Sequence, residues 1–116
     1  MRIAMPTING RIHPVFHRTD EYTIYDIEVE SVQTKTIYPI GNQETLGGFL
    51  TDECINGVIC GKIHSTDRNI LRLKRVELNY GVSGEADDIM VRYLSGERLG
   101  DIEENAFWHH DVERLD

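Results

Sequence analysis

The stretch VICGKIHSTDRNILRLKRVELNY, residues 58–80, decides the fold. Its first four residues are a short apolar run of the kind a strand buried on both faces shows. Ser65 or Thr66 then offers a helix cap, and the helix reaches about Lys74. VELNY, residues 76–80, alternates Val76, Leu78 and Tyr80 as a second strand. Two strands joined through a helix run parallel, with a right-handed crossover. The segment is a βαβ unit, and the chain an α/β protein.

On its N-terminal side, RIAMP (2–6) reads as the first strand, with Ile3 and Met5 on one face and Pro6 closing it. The loop TINGRIHPVFHRTDE (7–21) follows, with Asn9-Gly10 as a turn signal. EYTIYDIEVE (21–30) and SVQTKTIYPI (31–40) give two more strands, paired as an antiparallel hairpin across a polar break at Glu28 to Ser31. Leu46, Phe49, Leu50 and Cys54 fall at helical spacing, weakened by Gly47-Gly48 and ended by Asn56-Gly57.

On the C-terminal side, Ser83 caps a helix whose apolar stripe is Ala86, Ile89, Met90, Tyr93 and Leu94, and Gly96 stops it. The order β-β-β-α-β-α-β-α gives a mixed five-stranded sheet covered by helices. One domain spans residues 1–97. Residues 98–116 form an acidic tail that Phe107 and Trp108 would anchor to the body or to a partner.

Bulk properties narrow the function. A net charge of −8 argues against a phosphate-backbone partner, and the cluster Arg68, Arg72, Lys74, Arg75 reads as a solvated helix face. No nucleic acid is expected. No run approaches the roughly 18 apolar residues of a membrane span, and MRIAMPTING lacks the pattern of a signal peptide, so a cytoplasmic protein is expected. Cys54 and Cys60 do not form a C-x-x-C pair and read as reduced, buried small hydrophobes.

Catalytic signatures are absent. A two-metal nuclease needs carboxylates on the first strand, and RIAMP has none; Asp26 stands alone on the second. There is no nucleophile elbow, phosphate loop, His-Glu-x-x-His helix or dinucleotide fingerprint. No enzyme is expected.

The opening MRIAMPTINGRIHPVFHRTDEYTIYDIE (1–28) strings together a strand ending in Pro and Thr, a glycine turn, a loop around Phe16 and a Tyr-Asp strand. GVICGKI (57–63) is a glycine-rich strand end, and helix, short strand and helix follow over residues 65–95. In this order the chain resembles the dinitrogenase iron-molybdenum cofactor binding and biosynthesis family, over about residues 1–97. The resemblance implies a ribonuclease H-like fold, which agrees with the element order. It also implies a carrier or chaperone of an iron-molybdenum or iron-sulfur cofactor precursor, or a transition metal, as in nitrogen fixation.

Several positions depart from the family pattern. Where a family loop reads His-Phe-Gly, this chain has Val15-Phe16-His17, so the suspected ligand histidine is replaced by Val15. A family Gly-Gly-Ile-Gly becomes Gly61-Lys62-Ile63-His64, and the glycine-rich segment before the first helix shrinks to Gly47-Gly48.

Strands 2–6 and 58–61 should be parallel neighbours. The loops after their carboxyl ends would then share the edge where open α/β sheets bind ligands. The candidate metal ligands are His13, His17 and His64, with Cys60 at the end of its strand. Gly61 and Lys62 join the cofactor-binding set: Gly61 allows close backbone approach, and Lys62 could hold an anionic group. The alternative is that these are surface loop histidines, with His64 merely beside a cap. His109-His110-Asp111 is a poor preformed chelate, because adjacent residues point apart. The leading expectation is a non-catalytic binding protein whose partner is a metal cluster. Its rival is a protein-protein interaction or regulatory module without a cofactor. No oligomeric state follows.

Overall fold

In the computed structural model, which describes residues 1–100, the strand that opens the chain becomes the middle of the sheet. β1 (Arg2–Ile8) pairs antiparallel with β3 (Glu21–Glu28), which pairs antiparallel with β4 (Ser31–Pro39). On its other side β1 runs parallel to β5 (Gly57–Ile59), and β5 runs parallel to β6 (Glu77–Asn79). The order is β4-β3-β1-β5-β6. The strands expected at 2–6 and 58–61 are thus parallel neighbours, and the α/β class with a mixed sheet is as expected.

All five expected strands are present, and the sheet has a sixth. β2 (Arg11–Ile12) turns back on the end of β1 through Asn9-Gly10, with Thr7 opposite Ile12 and Ile8 opposite Arg11. Pro6 therefore does not end the first strand. Pairing with β3 finishes at Pro6 and pairing with β2 begins at Thr7, so the proline sits where β1 exchanges partners. The Pro6 carbonyl accepts from the His13 amide at 2.8 Å.

Strand alternation then fills two cores. Ala4, Ile24, Val58 and Leu78 meet Phe49 and Leu50 of α1 (Leu46–Asp52) and Leu71 of α2 (Ser65–Leu73). Ile3, Met5, Tyr25 and Ile59 meet Ala86, Ile89 and Met90 of α3 (Ala86–Leu94). Each fully buried large side chain contributes about 1.5–3 kcal/mol, so two filled faces are what hold a sheet of short parallel strands. Leu99 is 1% exposed within the second core, so packing continues beyond α3. Phe107, Trp108, His109, His110, Asp111 and most of the expected acidic tail lie outside the described residues.

The helix ends differ from the sequence reading. Neither Ser65 nor Ser83 caps a helix; α2 and α3 start behind His64 and Glu85, and neither side chain caps. α3 has another solution: the Gly10 carbonyl in the β1–β2 turn accepts from the Ala86 amide at 2.9 Å. At α1 the cap is Thr45, whose hydroxyl accepts from the Gly48 amide. α1 stops at Asp52, before Asn56-Gly57, because Cys54 enters the left-handed region (φ 54) and Ile55 bonds back to the Leu50 carbonyl. α2 closes the same way with Arg75 (φ 57) and α3 with Gly96 (φ 83). Of the basic cluster, Arg72, Lys74 and Arg75 are exposed, while Arg68 lies over the Tyr80 ring and donates to its hydroxyl at 3.1 Å.

Candidate functional site

The candidate site grows out of the carboxyl ends of β1 and β5. Beyond Ile59 the chain keeps pairing through backbone atoms, the Cys60 amide donating to Asn79 and the Cys60 carbonyl accepting from Val82. At Gly61 it meets the loop that follows β2. A Cβ there would stand 2.8 Å from the Pro14 carbonyl oxygen and 3.2 Å from that of His13. Only glycine lets the two backbones close, as the sequence reading of Gly61 requires.

What closes is a short parallel ladder. Val15 bridges Lys62, the Lys62 amide donates to Pro14 at 2.9 Å, and the Phe16 amide donates to Lys62 at 2.9 Å. The Lys62 amide is thereby used within the protein. Two residues past Val15 is His17, and two residues past Lys62 is His64. The ladder register sets them face to face, with ring centroids 4.2 Å apart and planes tilted by 33°. Phe16, 3% exposed, anchors the 3-10 turn Phe16–Arg18 that carries His17, and His64 is the residue that opens α2. Both histidines are exposed, as is the side chain of Lys62.

The other expected ligands go elsewhere. The Nδ1 atom of His13 accepts from the Val15 amide at 3.0 Å, which turns that ring back on its own loop. Cys60 is fully buried in the first core, and burial, reinforced by Asp67, pushes its thiol up to about 12. That is the behaviour of a small core hydrophobe, whereas Cys54, expected to be buried too, is exposed just past the end of α1. Among the described residues no three His, Cys, Asp or Glu side chains converge in a way that could hold a metal ion. Asp26 pairs with Arg2 at 3.0 Å, at the far end of the sheet from the histidines.

A cavity of about 200 Å³, which the sequence reading missed, opens beside His17. Phe16, Tyr22 and Phe49 form its aromatic wall, with Tyr22 stacked on Phe49 at 4.3 Å. Glu44 and Asp67 line it as well. Burial, then Asp67, Cys60 and Glu44, hold the Tyr22 phenol well above its ordinary range. Tyr38 donates to Glu44 at 2.5 Å and fixes that carboxylate. Nothing in the residue pattern signals this cavity, because its five wall and acid residues come from four separate segments.

The family model for the dinitrogenase iron-molybdenum cofactor family matches residues 1–96. The chain belongs to this family. Solved structures of the same fold include the protein PH0822 (TM-score 0.81, 21% identity, 94% of this chain and 98% of that one). A candidate dinitrogenase from Methanocaldococcus jannaschii follows (TM-score 0.73, 20% identity, 88% and 95%). A candidate NifB protein from Thermotoga is a third (TM-score 0.68, 16% identity, 87% and 92%). No curated protein matches the chain. These structures share the fold of this chain. Among the described residues no helix is long and apolar enough to cross a membrane.

Proposed function

We propose that this protein is a non-catalytic, cytoplasmic carrier that docks an iron-molybdenum or iron-sulfur cofactor precursor on His17 and His64. The observation that carries the reading is the face-to-face pair of imidazoles, delivered by two separate loops to one sheet edge. Two imidazoles suit such cargo better than a bare ion. A structural zinc or similar ion asks the protein for three or four donors. A cluster brings its own sulfides and needs few protein ligands, which also leaves it free to be passed on. Lys62, exposed between Gly61 and His64, adds a positive charge for anionic cargo. His13 can join once its Nδ1 releases the Val15 amide.

Anaerobic reconstitution with iron and sulfide tests this, read by metal content and visible absorption. The wild-type protein should take up a cluster, and His17→Ala/His64→Ala should lose it while His13→Ala retains most of it. Absence of uptake by the wild type, or equal uptake by the double variant, rejects the reading.

A further inference from the structure

The cavity beside His17 has a chemistry of its own, independent of the cargo reading. Its formally charged lining residues are both acids, Glu44 and Asp67, and neither lysine nor arginine lines it. Among the described residues the Asp67 carboxylate, in the first turn of α2, forms no ion pair and accepts no side-chain hydrogen bond, which leaves it open to a cationic donor. The Tyr22 ring is 6% exposed, yet its hydroxyl has no hydrogen-bond partner among the described residues. The Tyr22 phenol oxygen and two carboxylates line one cavity, with acceptor lone pairs beyond those that Glu44 gives to Tyr38 and the Gly41 amide. Phe16, Tyr22 and Phe49 supply the low-dielectric, π-rich wall that favours an organic cation. A bare metal ion fits poorly, since no group of three donors converges among the described residues.

We propose that this cavity binds a small organic cation bearing a primary ammonium group. The ammonium donates to the Asp67 and Glu44 carboxylates and to the Tyr22 oxygen, and its alkyl part lies against Phe16 and Phe49. At about 200 Å³ the cavity holds the volume of roughly seven waters at about 30 Å³ each, which suits an alkylamine or a short diamine. His17 lines the same cavity, so occupancy also fills the space behind one member of the imidazole pair.

The test is an NMR titration of the metal-free protein with n-butylammonium and with 1,4-diaminobutane, following the Tyr22 and Phe49 ring signals. Butanol and butyrate, of similar shape, serve as neutral and anionic controls. The amines should give saturable shifts and the controls none. Asp67→Asn should weaken amine binding about tenfold, and Tyr22→Phe several-fold, with melting temperatures checked for both. Asp67 makes no hydrogen bond through its carboxylate within the described residues, so this variant should fold; His17→Ala/His64→Ala, which tests the cargo reading, should still bind amine. The proposal fails if the amines give no saturable shift, if butanol or butyrate act equally, or if Asp67→Asn binds as the wild type does. Saturable broadening by Mn²⁺ without any response to the amines overturns it in favour of a metal.

Discussion

Two turns of the same geometry stand at opposite ends of this sheet, and they are built from opposite kinds of residue. Asn9-Gly10 joins β1 to β2 and Val29-Glu30 joins β3 to β4, each as a two-residue turn with both φ angles positive (52 and 78; 48 and 61). This is the type I′ geometry, for which Asn-Gly is the preferred sequence. Val29, β-branched and 97% exposed, is a poor choice, since it gains no burial from its left-handed backbone. The first turn does more than reverse the chain: its Gly10 carbonyl receives the first amide of α3, and its strand leads into the loop that carries His13 and His17. The second closes a hairpin whose register runs over eight residue pairs, from Glu21 with Pro39 to Glu28 with Ser31. Local turn chemistry is best where few other contacts can impose the turn. Where a long ladder imposes it, an ill-suited pair is tolerated.

The strongest way to break the site end of this contrast is Gly61→Ala. The added methyl meets backbone oxygens that cannot swing aside, so a loss of about 2–3 kcal/mol in urea unfolding is expected, together with loss of the His17–His64 ring contact by NMR. Transplanting the poor turn, Asn9→Val/Gly10→Glu, should cost about 2 kcal/mol through two residues forced into the left-handed region. The reciprocal exchange, Val29→Asn/Glu30→Gly, should add about 1 kcal/mol and leave cluster and amine binding unchanged. If it destabilises, the ladder is not what imposes that turn. Arg75→Gly, exposed and left-handed at the end of α2, should add about 0.5–1 kcal/mol in the same assay.

The smallest expected effect is a pH dependence in the β3–β4 half. Lys35 and Tyr25 donate to Asp87 at the start of α3, and these bonds hold its carboxyl below the ordinary carboxylate range. A lowered native pKa means the unfolded chain binds the proton first as pH falls. The contribution is therefore present above the unfolded carboxylate value, near 4, and fades as pH drops through the native one. Asp87→Asn should flatten the fall in stability between pH 5 and pH 2 in urea titrations, by a modest amount because the group is exposed. Equal slopes in the two proteins would show that this tie contributes nothing.

The βαβ unit and the hairpin were legible because alternation and helical stripes report burial, and both faces of the sheet are filled here. Three features were not. β2 pairs over two residues, too short for any periodicity to register. Pro6 looked like a terminator because its effect depends on which neighbour a strand has at that point, which one segment cannot reveal. Helix ends escaped prediction for a similar reason: Gly10, distant in sequence, takes the amide that Ser83 was expected to satisfy. At the candidate site, His17 and His64 were singled out by residue type and loop position. Their pairing needed the Val15–Lys62 register, and the turning away of His13 needed a local hydrogen bond to a main-chain amide.

The Val15–Lys62 ladder consists of main-chain bonds, and this has a bearing on how a ligand set can change over time. Backbone pairing fixes addresses and is indifferent to the occupants. On the proposed reading, a donor missing at position 15, where the family resemblance would place a histidine, can be supplied two steps along at 17. There it arrives opposite a position that the facing loop can also fill. Such a ladder works as a rail along which chemistry can slide while the scaffold stays put.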